Sequence, residues 1–205
     1  MERLMLVTDR RATAGRALVD TVLAAVAGGV RMVQLREKDL PDGPFLALAC
    51  DLLDRLPGGV VLLLNGRPAL AARLGTGLHL PEGAALPRRL PRPWGRAVHS
   101  AAAAAAEVSR PRFSRPDYLV AGTVFPTASK PSAAAVGTGG LRRIVGAADG
   151  LPVFAIGGMG PGRVREAVAA GAHGVAVRSA VLAAPDPAEA AARLLEEIAE
   201  VAPAE

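Results

Sequence analysis

An α/β chain closing into one (β/α)8 TIM barrel over residues 1–205 is the fold the sequence predicts. Short β-type runs recur with room for one helix between each pair, the pattern of parallel βα units. Eight such runs fit into the 205 residues, at the short end of the range for this fold. Chemically capable side chains follow the ends of most runs, where a barrel gathers its loops into one mouth. A doubly wound open sheet is the alternative arrangement of the same units.

In chain order the runs are residues 4–7, 32–35, 60–64, 78–80, 97–99, 118–121, 153–156 and 175–177. Between them apolar residues recur three and four apart, clearest at Leu18, Val22 and Val26 and at Ala191, Leu194, Leu195 and Ile198, as on the inner face of a helix. Segment 86–93 breaks the rhythm. Its Pro87, Pro91 and Pro93 oppose a helix and predict a loop in its place.

Composition narrows the function classes. The longest apolar runs are strand-sized, and Met1-Glu2-Arg3-Leu4 leads straight into a strand, so the chain reads as cytoplasmic with no membrane partner. Cys50 lies among Leu46, Leu48, Leu52 and Leu53 and reads as a packed thiol. The net charge of +5 raises nucleic acid as a partner, but the basic residues are scattered. Their one cluster, Arg88, Arg89, Arg92 and Arg96, is broken by prolines and reads as solvated surface, so no nucleic-acid partner is expected. Of the 24 basic residues only Lys38 and Lys130 are lysines, which singles out both as candidates for phosphate binding or proton transfer. Barrels of this size often pair, so a homodimer is compatible with the sequence.

The strongest chemical signal is an anion site. Ala155-Ile156-Gly157-Gly158-Met159 ends the seventh strand and a helix starts near Gly162, so main-chain amides approach an anion closely. The eighth strand ends in Val177-Arg178-Ser179, which adds a hydroxyl and a guanidinium on the neighbouring loop. Those two loops are where this fold usually binds phosphate. Along the second strand, alternation sets Gln34, Arg36 and Lys38 on one face and Val33 and Leu35 on the other. A face with three polar groups points into the mouth, not into the helix layer. After the sixth strand, the hydroxyl-rich run Gly122 to Lys130 is too rich in functional groups for a mere connector.

These residues together resemble the thiamine phosphate synthase/TenI family. The resemblance runs from Leu6 to about Val181 and is carried by Val33-Gln34-Leu35-Arg36-Glu37-Lys38, Asn65, Gly77-Leu78-His79, Val124-Phe125-Pro126-Thr127 to Lys130, and the Gly157-Gly158 motif. In that family a synthase joins hydroxymethylpyrimidine diphosphate to thiazole phosphate with Mg2+. Its TenI relatives share the barrel, and some aromatise carboxythiazole phosphate by a proton shift. The resemblance implies that Gln34, Arg36, Lys38, Asn65 and Lys130 line the pyrimidine diphosphate side. It assigns the thiazole phosphate to Thr127, Ser129, Gly158, Arg178 and Ser179, next to Gly157.

Departures from the synthase pattern point to the TenI, thiazole tautomerase-like branch. The acidic metal ligand that follows the asparagine in synthases is Gly66 here, the loop after the fourth strand offers only Glu82, and Ala97 replaces a ligand-contacting serine. The leading expectation is therefore a metal-independent proton shift on a phosphorylated thiazole, with no cofactor. Thr123 stands where tautomerases carry their histidine and is kept as a ligand contact, so another group must move the proton. His99, Lys38, Glu37 and Lys130 are the candidates, with His79 ranked below His99 and His173 placed at the opposite end. Two alternatives stand beside this one. One is a divergent Mg2+-dependent synthase that takes Glu82 with Asp9 or Glu37 as metal ligands; the other is a non-catalytic, phosphate-ligand-binding barrel.

Overall fold

The computed structural model describes residues 1–127 and 134–201. Eight parallel strands follow one another around a closed cylinder: β1 (Leu4–Val7), β2 (Met32–Leu35), β3 (Val61–Asn65), β4 (Gly77–Leu80), β5 (Trp94–Val98), β6 (Tyr118–Gly122), β7 (Val153–Ile156) and β8 (Gly174–Val177). The β1–β8 ladder, with Met5 beside Ala176 and Leu6 beside Val177, closes the barrel and excludes the open sheet. Around it lie α1 (Leu18–Ala27), α2 (Asp42–Arg55), α3 (Pro68–Leu74), α4 (Ala101–Val108), α5 (Gly137–Ala147), α6 (Arg163–Ala169), α7 (Ser179–Leu182) and α8 (Pro187–Val201). None of the described helices is long and apolar enough to cross a membrane.

Strand alternation produces two cores. Leu4, Leu6, Val33 and Leu35 point outward and join the helix layer, where α1 buries Leu18, Val22 and Val26 and α8 buries Ala191, Leu194 and Ile198. Met5, Met32, Leu63, Tyr118 and Phe154 point inward and fill the cylinder. An aromatic column crosses this interior. His79 stacks on Tyr118 at 5.8 Å between centroids, Tyr118 meets Phe154 edge-on at 5.6 Å, and Phe154 meets His173 at 5.5 Å. A side chain at Gly95 would put its Cβ 2.1 Å from the Tyr118 ring, so β5 must carry glycine there for the column to fit. His173 closes the end opposite the mouth, its Nε2 3.0 Å from the Met1 carbonyl.

No helix forms between β4 and β5, as the three prolines require, and Ala84, Leu86 and Leu90 of the connecting segment pack on the core in its place. Arg96 was expected on a solvated surface; it is 1% exposed. Outward-pointing from β5, its guanidinium lies 5.6 Å from the Trp94 ring centroid, pairs with Glu107 of α4 at 3.5 Å, and donates to the Pro81 and Ala84 carbonyls at 2.9 and 2.7 Å. The β5 run also starts earlier than the sequence predicts, at Trp94. Its first residues, Trp-Gly-Arg, lack a β-type pattern because Gly95 yields space to Tyr118 and Arg96 serves the loop. Glu107 also keeps Arg110, which donates to it at 2.5 and 3.0 Å, so what Arg96 alone holds is the turn of residues 81–84. Arg96→Met is therefore expected to lower unfolding free energy by about 1–3 kcal/mol in urea denaturation, with loss of order around residues 81–84 visible by hydrogen exchange.

Candidate active site

A cavity of about 270 Å3 opens at the C-terminal ends of the strands, with Gln34, Asn65, Ala97, Gly122, Ile156 and Ala176 among its walls. The inward-facing side chains fill the cylinder only up to His79, and the space above them is this cavity.

One wall brings together the paired glycines of the β7 loop with Arg178 and Ser179. Gly157 and Gly158 have φ of +102° and +65°, a region that favours glycine. Each is also held closely, since a Cβ on Gly157 would stand 2.6 Å from Thr123 Cγ2 and one on Gly158 2.7 Å from the Pro126 carbonyl oxygen. Arg163 donates to the Gly158 carbonyl at 3.0 Å while its guanidinium lies 5.2 Å from the Phe125 ring centroid, so the β7 loop is fastened to the β6 loop. Arg163 was missed in the sequence, where nothing distinguishes it from the chain's many other arginines. Arg178 and Ser179 line the same cavity as the two glycines. Arg178 Nη1 is 2.9 Å from Asp9 Oδ2, and Arg16 donates to the Leu182, Ala184 and Pro185 carbonyls, fixing α7 below Ser179.

The second wall comes from β2. Gln34 accepts from Asn65 at 3.1 Å, and Arg36 and Lys38 extend up the same face to the rim. The Arg36 guanidinium makes no hydrogen bond or ion pair among the described residues. Burial, and then the nearby Arg178 charge, push its pKa below the usual arginine value. An anion in the cavity would relieve both effects. Glu37, by alternation, faces away: its carboxylate is 2% exposed, accepts from Thr8 Oγ1 at 2.7 Å and pairs with Arg10 at 3.2 Å. Glu37 is absent from the cavity lining, so it is in no position to exchange a proton with a ligand there.

Three histidine placements separate clearly. His79 lines the cavity floor, fully buried, with Nδ1 3.2 Å from the Tyr118 hydroxyl. Burial first, then the charges of Arg36 and Arg96, lower its pKa to about 3, so it is neutral at physiological pH. The buried Tyr118 hydroxyl and His79 Nδ1 share this one hydrogen bond, which holds the imidazole in place on the floor. His99 is at the rim, half-exposed, with Nδ1 2.7 Å from Glu82 Oε2. His173 is at the far end. Thr123 and Thr127 line the cavity, whereas Ser129 and Lys130 lie outside the described residues.

Magnesium, which the family resemblance brings with it, can be tested against these donors. Glu82 is the one carboxylate lining the cavity among the described residues, and its two oxygens are engaged by His99, at Nδ1 and at the backbone N–H. Asp9 is bound to Arg178 and Glu37 to Thr8 and Arg10. Gly66 has no side chain. These residues do not fit a carboxylate-held magnesium site, and the replacement ligands Asp9 and Glu37 are turned to other partners.

The profile of the family described as thiamine monophosphate synthase matches residues 4–181. The chain belongs to the thiamine phosphate synthase/TenI family. Among curated relatives, a putative thiamine-phosphate synthase of Geobacter sulfurreducens is 43% identical, covering 94% of this chain and 92% of its own length. The thiamine-phosphate synthase of Albidiferax ferrireducens is 41% identical, with 94% and 90% covered. The solved thiamine phosphate pyrophosphorylase of Pyrococcus furiosus superimposes with a TM-score of 0.77 at 28% identity, with 97% and 96% covered. The two curated relatives carry synthase names, so the comparison gives the family and not the TenI branch that the motifs favoured.

Two outcomes are expected from this geometry. Ser179→Glu places a carboxylate against the Gly157–Gly158 wall and should abolish binding of a thiazole phosphate, read by calorimetry, while circular dichroism stays unchanged; undiminished affinity would remove the site. His79 has a folded-state pKa below its unfolded value of 6.5, so its contribution to stability is complete above pH 6.5 and is lost as pH falls toward about 3. His79→Gln should therefore flatten the fall in unfolding free energy between pH 6 and pH 4.5 by up to about 1.4 kcal/mol per pH unit, measured by urea denaturation.

Proposed function

We propose that this chain acts in thiamine biosynthesis as a synthase, joining hydroxymethylpyrimidine diphosphate to thiazole phosphate. The observation that carries the reading is the unpartnered Arg36 guanidinium, which shares one cavity with the anion wall of Gly157, Gly158, Arg178 and Ser179. A cavity with cationic groups on β2 and main-chain amides on the β7 loop suits two phosphorylated ligands. The synthase names of relatives at 41–43% identity support the same choice. They weigh against a tautomerase as the first reading.

In this reading the thiazole phosphate rests on the Gly157–Gly158 amides and the Ser179 hydroxyl, with Arg178 held by Asp9. The pyrimidine diphosphate takes Arg36 and Lys38. Negative charge grows on the diphosphate as its bond to the pyrimidine methylene breaks, and preorganised cations in a partly desolvated cavity stabilise that charge. His79, neutral, lines the floor beside Gln34 and Asn65. No step is assigned to a metal, because the carboxylates present do not hold one.

The His99–Glu82 contact favours a second reading, the metal-independent proton shift on a thiazole phosphate. Assays with pyrimidine diphosphate plus thiazole phosphate, and separately with the carboxythiazole phosphate tautomer, each with and without Mg2+, distinguish the two. The synthase reading expects thiamine phosphate and pyrophosphate from the first mixture. Conversion in the second mixture alone replaces it with the isomerase. Arg36→Ala is expected to lower kcat/KM of the coupling by on the order of 10²-fold, and an unchanged value would remove Arg36 from the site.

A further inference from the structure

Residues 81–84 form a tight turn that serves Glu82. The Ala84 N–H donates to the Pro81 carbonyl at 3.2 Å, and Gly83 has φ +75°. A positive φ at the third position of such a turn favours glycine and leaves the second residue, here Glu82, at the tip. Arg96 Nη1 donates to the Pro81 and Ala84 carbonyls on both sides of that tip, from below and from a buried position. The turn is thus anchored to β5, the strand that ends just before His99. At the tip both carboxylate oxygens of Glu82 meet His99: Oε2 lies 2.7 Å from Nδ1, and Oε1 accepts from the backbone N–H at 3.3 Å.

A carboxylate only accepts hydrogen bonds, so the Nδ1 of His99 carries the proton. Its Nε2 is then the basic nitrogen, without a hydrogen bond to any described residue, on a side chain that lines the cavity. We propose that Glu82 and His99 work as one pair, in which Glu82 is a positioning residue and His99 exchanges a proton with the bound ligand. The proposal rests on the isomerase reading above and names the group it lacks at Thr123. Nε2 accepts a proton from one carbon of the phosphorylated ring as that C–H bond breaks, and the electron pair passes into the ring. The same nitrogen then returns a proton to a second carbon of the ring system. Nothing is oxidised or reduced, and no co-reactant is consumed. Glu82 fixes the ring orientation and stabilises the imidazolium while it exists.

The test uses the intact protein and the carboxythiazole phosphate tautomer, with wild type, His99→Asn, Glu82→Gln and Glu82→Asp. Both side chains are at least 40% exposed, so the variants should fold. His99→Asn is expected to lower kcat by on the order of 10²- to 10⁴-fold. Glu82→Gln should lower kcat by at least about tenfold with KM within twofold, and Glu82→Asp should recover part of the loss. In proton NMR the wild type should show a downfield imidazole Nδ1 proton that moves upfield in Glu82→Gln. Turnover by the wild type with kcat unchanged in Glu82→Gln overturns the pair and leaves the isomerase reading standing. No turnover by the wild type overturns that reading and the proton transfer with it, whatever the NMR signal shows.

Discussion

The site depends on how the cylinder beneath it is filled. A parallel barrel of this size has an interior that side chains can pack completely, and Met5, Met32, Leu63, Tyr118 and Phe154 do so here. Filling stops where the inward positions become Gln34, Asn65, His79 and Ala97. Because alternation carries the same inward face up each strand, every second residue beyond that level faces the mouth. The Tyr118 column makes the boundary sharp: its ring requires Gly95, its hydroxyl is bonded to His79, and His79 is the floor on which a ligand would rest.

Above that floor, the loops are tied to one another mostly by acidic groups. Glu37 and Asp39 fasten the β2 loop to Thr8 and Arg10 after β1, Asp9 fastens the β8 loop through Arg178, and Glu82 fastens the β4 loop to His99. The Arg10 guanidinium holds the Asp39 carboxyl down at about 2, so this tie persists across the neutral range. With Asp9 and Glu37 engaged outside the lining, the basic side chains on the cavity walls are Arg36, Lys38 and Arg178. The same loop ties that give the mouth its shape thus also keep these two carboxylates out of its lining.

Local rules explain what the sequence reveals. The two-residue period places Gln34, Arg36 and Lys38 on one face, and it turns Glu37 to the other, so the alternation that singled out the first three already argued against Glu37. The glycine pair after Ile156 is readable because backbone conformation leaves few residues able to stand there. Partner choice between distant segments is not readable in this way. Glu82 and His99 are 17 residues apart and meet only through the β4–β5 pairing and a turn held from beneath. Arg96 looked like one more member of a basic surface cluster, since nothing in its own neighbourhood signals that its partners are the carbonyls of residues 81 and 84 and the carboxylate of Glu107. The isomerase preference came from residues that are absent, such as an acid at Gly66; a list of absences says what a site lacks and not which reaction the remaining groups perform.

Glu82 is the side chain at which the two chemistries would compete. As the partner of His99 it has one oxygen on the imidazole and the other on the backbone N–H. A divalent cation that displaced His99 would find glycine at position 66 and no further carboxylate in the cavity lining among the described residues. Displacement would also leave His99 without the group that orients it. A cation bridging two phosphorylated ligands could still bind through their own oxygens, because magnesium commonly takes most of its ligands from phosphate and water. The competition at this one side chain would therefore link metal use to proton transfer: a metal that recruits Glu82 takes from His99 the group that orients it, and otherwise charge neutralisation falls to Arg36, Lys38 and Arg178.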